Sequence, residues 1–128
     1  MFNLTLEHKA SFEGRDRIAS KSYSGGSTPR LDESIPDEST DLLVNYALDV
    51  SAIQAIHIQS DQDITVKTNS SSVPDETLAL VAGVAYVWTT DSYFANVLET
   101  DITKFYVTNA SGAAANLVIE AVVDPTPA

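Results

Sequence analysis

The chain has 128 residues, 44% of them hydrophobic, which is the size of one domain with enough apolar side chains for a core. It contains no cysteine, so disulfides, thiolate metal sites and cysteine nucleophiles are excluded. Eighteen acids against seven cations give a net charge of −11, which opposes binding to nucleic acid and to anionic membranes, and no apolar run approaches the ~18 residues of a membrane-spanning helix.

Phe2, Leu4 and Leu6 alternate with Asn3, Thr5 and Glu7, the period of a half-buried strand. Ala10 and Phe12 prolong the same face, and His8 is expected opposite it, towards solvent. The opening MFNLTLEHKASFEG lacks the apolar stretch of a secretory signal, so synthesis without export is expected. Glu13-Gly14 reads as a turn. Arg15 to Tyr23 follows as an edge strand, with Arg15, Arg17, Ala19, Lys21 and Tyr23 on one face. The breaker cluster Ser24–Pro29 and the acidic run Leu31–Asp41, interrupted by Pro36, read together as a long surface loop over 24–41.

From Leu42 the pattern changes. Leu42, Val44, Tyr46 and Leu48 alternate and face a core. Val50–Ile53 suits a short helical turn capped by Asp49 or Ser51. Short strands follow at Ile56–Gln59, Ile64–Thr68, Leu78–Val81, Tyr86–Thr89 and Phe105–Thr108, with a long last strand over Leu117–Val123. Ala82-Gly83 and Asn109–Gly112 are turns, and Asp91–Asp101 is a loop. Eight or nine strands at this spacing predict an all-β fold, an antiparallel sandwich or jelly-roll-like barrel with an N-terminal hairpin or arm. The expected organisation is an arm and acidic loop over 1–41, a sandwich body over 42–124 and a frayed tail over 125–128.

Chemistry is sparse. The two histidines, His8 and His57, lack the paired spacing of a metal site and read as structural. No nucleophile elbow or phosphate-binding loop occurs, so no enzyme, no cofactor and no metal site is expected. Asp32, Glu33, Asp37, Glu38 and Asp41 read as a solvated acidic loop rather than a calcium site. Tyr86 and Trp88 share a strand face and are expected in the core, Trp88 as its central plug. The alternative is a sugar-stacking platform of Trp88 with Tyr86, Tyr93 and Phe94.

The charge is split along the chain. Residues 1–30 carry five cations against three acids, net +2, whereas residues 31–128 carry two cations against fifteen acids, net −13. Such a segment suits docking on an acidic surface, with Arg15, Arg17 and Lys21 on one strand face and Arg30 beyond the glycine-rich hinge.

LDVSAIQAIHIQSDQDITVKTNS (Leu48–Ser70), LVAGVAYVWTTDSY (Leu80–Tyr93), TDITKFYVTNASG (Thr100–Gly112) and the closing Leu117–Pro127 together resemble small proteins encoded in tailed-phage structural modules. The resemblance spans about residues 43–127. It implies a β-sandwich head decoration, cement or auxiliary capsid protein, made in the host bacterial cytoplasm and carried on the outer surface of the capsid. Its implied partners are the major capsid protein and further copies of itself, as a homo-oligomer on the virion. The alternative is a tail, baseplate or fibre-tip module that recognises a host glycan.

Overall fold

The computed structural model describes residues 2–124; the tail expected over 125–128 lies outside the described residues. Ten strands follow in order: β1 (Phe2–Phe12), β2 (Arg15–Gly25), β3 (Arg30–Ile35), β4 (Ser39–Leu48), β5 (Ile53–Ser60), β6 (Ile64–Thr68), β7 (Thr77–Leu80), β8 (Tyr86–Thr89), β9 (Ile102–Asn109) and β10 (Ala115–Val123). β1 and β2 form a hairpin of their own. The other eight make two four-stranded antiparallel sheets, β3-β10-β5-β8 and β4-β9-β6-β7, packed as a sandwich.

The pairings are nested. β6 pairs with β7, β5 with β8, β4 with β9 and β3 with β10. The body is therefore one long hairpin centred on the β6–β7 turn and folded across both sheets. Contacts of β10 with β5 and of β9 with β6 hold the fold closed. This is the connectivity of a jelly roll.

Period-two alternation builds the core. Leu117, Ile119 and Ala121 of β10, Val44, Tyr46 and Leu48 of β4, and Phe105 and Val107 of β9 point inward and are buried. Tyr46 and Phe105 stack at 5.5 Å between ring centroids. Burial pushes the Tyr46 phenol pKa upward, and its hydroxyl donates to the Pro29 carbonyl at 3.2 Å. Burying a side chain such as Phe105 contributes about 1.5–3 kcal/mol.

This aromatic pair holds the place expected of Trp88. Tyr86 and Trp88 do share the inward face of β8, but they are half-buried and pack against the core from its margin. The reason is that β8 is a four-residue edge strand. The Trp88 indole N–H donates to the Phe94 carbonyl at 2.9 Å.

The loop expected over 24–41 is corrected. Residues 30–35 form β3, an edge strand on β10, so the sandwich begins about a dozen residues earlier than the sequence suggests. An edge strand tolerates exposed Asp32 and Glu33, while Leu31 packs against the core and Ile35 is wholly buried. Pro36 comes just after its end, where no ladder bond is lost. The expected helical turn is a 3₁₀ turn at Val50–Ala52, and Asp49 caps it by accepting from the Ser51 amide at 3.2 Å. The Asn109–Gly112 turn is anchored by Asn109 itself, which is fully buried. Its amide group donates to the carbonyls of Ile35, Pro36 and Ala113.

A projecting basic arm and its cleft

The β1–β2 hairpin has eleven residues in each strand and a full register from Phe2↔Gly25 to Phe12↔Arg15. The two-residue turn Glu13-Gly14 has φ values of 50° and 79°. Two successive positive φ values give the type I′ geometry, whose twist matches paired strands. Beyond its root the hairpin covers no core. Every residue from Glu7 to Ser22 is exposed, including Phe12 at 75% and Ile18 at 61%.

Cross-strand partners share a face. The register therefore merges the apolar side of β1 with the cationic side of β2: Leu4 with Tyr23, Leu6 with Lys21, His8 with Ala19, Ala10 with Arg17, Phe12 with Arg15. His8 thus lies on the face of Leu6, not opposite it. Two residues is one full strand period, so the parity of the sequence already required this.

The root of the arm sits on the outer face of the β3-β10-β5-β8 sheet. Val122, Ala55 and Thr89 form one cross-strand row and are buried, yet Val122 and Ala55 are not part of the sandwich core. Gly25 closes on this row. A Cβ there would stand 2.4 Å from the Val123 carbonyl oxygen and 2.6 Å from Val122 Cγ1, so the close approach requires glycine. Ser27 exchanges backbone bonds with Val123, and the Thr28 hydroxyl donates to the Ala121 carbonyl at 2.9 Å.

A polar latch fixes the arm on its β8 side. Tyr23 Oη donates to Thr89 Oγ1 and to Asp91 Oδ2, each at 3.1 Å, and Lys21 Nζ pairs with the same Asp91 oxygen. The bond from Lys21 holds the Asp91 carboxyl below its ordinary pKa, and Asp91 in turn raises Lys21.

The four cations expected to dock, Arg15, Arg17 and Lys21 on one face and Arg30 beyond the hinge, stand in different settings. Arg15 and Arg17 share the distal face of the arm, and among the described residues neither enters an ion pair. Lys21 shares that face but is engaged by Asp91. Arg30 is not on the arm at all. It opens β3 and faces Glu120 of β10 at 3.7 Å.

Between the arm and the body lies an open cleft of about 870 Å³. Leu6, His8 and Lys21 line it from the arm, His57 and Val87 from the sheet, and Phe94 from the following loop. Both histidines of the chain thus face one cleft, which their separation in sequence concealed. His57 Nε2 lies 2.8 Å from Gln59 Oε1. Tyr93 and Phe94 are exposed at 99% and 76%.

The acids are dispersed. Asp37 accepts from the Gly112 amide at 3.1 Å, Asp41 pairs with Lys67 at 3.2 Å, and Asp61 accepts from the Asn116 amide at 2.8 Å. Among the described residues no three metal-ligating side chains converge. Compared with family models, curated proteins and solved structures, the chain matches none of them.

Proposed function

We propose that this chain is a non-enzymatic structural protein of a tailed-phage virion, a head decoration or cement protein that binds the outside of the capsid and stabilises it. The observation that carries this reading is the arm, whose exposed distal half carries Arg15 and Arg17, neither in an ion pair among the described residues, beside the apolar Phe12, while the sandwich is acidic. The resemblance of residues 43–127 to phage structural modules supports the virion setting. Arg15 and Arg17 meet an acidic surface of the major capsid protein, and Phe12 adds apolar contact beside them. Lys21 and Arg30 act within the chain, seating the arm and the first strand of the sandwich.

Exposed ion pairs are individually weak and screened by salt, so one copy binds loosely. Many copies held on one lattice bind far more tightly. A ligand that prefers the assembled shell stabilises it by mass action. Mass spectrometry of purified virions tests this by copy number. Hundreds of copies per particle are what the head shell or a tail tube requires, whereas six to eighteen indicate a baseplate or fibre and contradict the reading.

A second reading, glycan recognition by a tail module, is favoured by one observation, the exposure of Tyr93 and Phe94 beside the cleft. It is the reading that a low copy number would leave standing.

A further inference from the structure

Both long edges of the arm are open: among the described residues β1 pairs only with β2, and β2 only with β1. An open edge recruits another strand unless charge or shape blocks it. A two-stranded hairpin is marginal in water, and a sheet of three or more strands with an apolar face is far firmer. The two edges differ in how they meet a copy of themselves.

On β2, antiparallel self-pairing centred anywhere from Asp16 to Ala19 sets cation against cation. Centring on Asp16 opposes Arg15 to Arg17, on Arg17 opposes Arg17 to itself, on Ile18 opposes Arg15 to Lys21, and on Ala19 opposes Arg17 to Lys21. These four registers repel their own kind.

On β1 one register brings opposite charges together, with the two His8 side chains facing each other on the axis. Centred on His8, it sets Glu7 opposite Lys9 twice by symmetry, Thr5 opposite Ser11, Leu6 opposite Ala10 and Leu4 opposite Phe12. Centring on Glu7 or on Lys9 instead sets a like charge against itself, and a one-residue slip turns apolar faces against polar ones. We propose that β1 of one copy pairs antiparallel with β1 of a second copy about His8, giving a four-stranded sheet β2-β1-β1-β2 across a two-fold axis.

Such an interface is self-complementary, as a two-fold contact must be. It brings the exposed Phe12 of each copy onto Leu4 of the other. It leaves Arg15 and Arg17 on the sheet face, so it does not depend on the shell-docking reading and does not compete with it.

Sedimentation equilibrium of the full-length chain, up to several hundred micromolar, tests the proposal. The wild type should dimerise. Glu7→Lys opposes two like-charge pairs and should raise the dimer Kd about tenfold or more. Glu7→Lys/Lys9→Glu re-forms both pairs in reversed polarity and should bring the Kd back near wild type. Lys9 also pairs with Asp16 at 3.3 Å, but both side chains are exposed, so losing that contact costs little. A wild type that stays monomeric overturns the proposal. So does a Glu7→Lys variant that dimerises like wild type, or a double variant no better than the single.

Discussion

The sandwich and the arm are built from the same element, an antiparallel pair of alternating strands, yet they reach opposite outcomes. In the body, each inward face meets another inward face, and side chains such as Phe105, Leu117 and Ile119 are removed from water almost completely. In the arm, a face with Leu6, Ala10 and Phe12 meets nothing of its own chain beyond the root. The body is stabilised by what it buries. The arm is held by what it is attached to: Gly25 against Val122, the latch at Asp91, and the ladder of β1 with β2. Burial therefore divides the molecule into a part that carries stability and a part free to carry binding.

The sharpest way to break this contrast is to delete a phenylalanine ring from each region. Phe105→Ala empties a fully buried site stacked on Tyr46 and should lower stability by about 3–5 kcal/mol in denaturant melts. Phe12→Ala should leave the melt within about 0.5 kcal/mol of wild type. A comparable loss from both would mean that the arm belongs to the cooperative core.

The root comes next in size. Gly25→Ala drives a methyl group into the Val123 carbonyl, and overpacking of this kind costs about 1–3 kcal/mol. The arm should lift before the sandwich yields. Hydrogen exchange should therefore quicken across β1 and β2 while β9 and β10 keep their protection. Uniform loss of protection would show that the two regions are not separable.

The smallest effect is the latch. Because Asp91 is held below its ordinary value of 3.8, its contribution is complete above that pH and lost as pH falls through the lower, folded-state value. Lys21 is raised above 10.5, so its contribution is complete below that pH and lost as pH rises through the higher value. Arm protection should thus be flat between these limits and fall at both extremes. Asp91→Asn should reduce the protection modestly and remove the acid limb. An acid limb that survives this substitution would place the titrating group elsewhere.

Much of the body was legible because its strands alternate with one face buried, Leu42 to Leu48 most clearly, and because the long apolar run Leu117 to Val123 suits a central strand. β3 was hidden because an edge strand needs few apolar residues, and Leu31 and Ile35 are spaced within an acidic run that Pro36 interrupts. Trp88 was misplaced because size and strand propensity say that a residue is buried but not how deep its strand lies. Sheet order decides that, and it puts β8 at an edge. Of the arm, the cationic face was readable from parity. Its merger with the apolar face of β1 needed the register set by the Glu13-Gly14 turn. The placing of His8 and His57 on one cleft, and the pairing of Lys21 with Asp91 and of Arg30 with Glu120, are tertiary facts with no local signal.

The division of labour is tested most directly by co-sedimentation with capsid particles of the wild type and of full-length Arg15→Glu/Arg17→Glu. Both substitutions lie on the exposed distal face of the arm, so the variant should melt as the wild type does. The wild type should saturate the particles, less tightly as salt rises, and the variant should stay in the supernatant. A variant that decorates particles at wild-type occupancy would place the binding surface on the sandwich and contradict the assignment of docking to the arm.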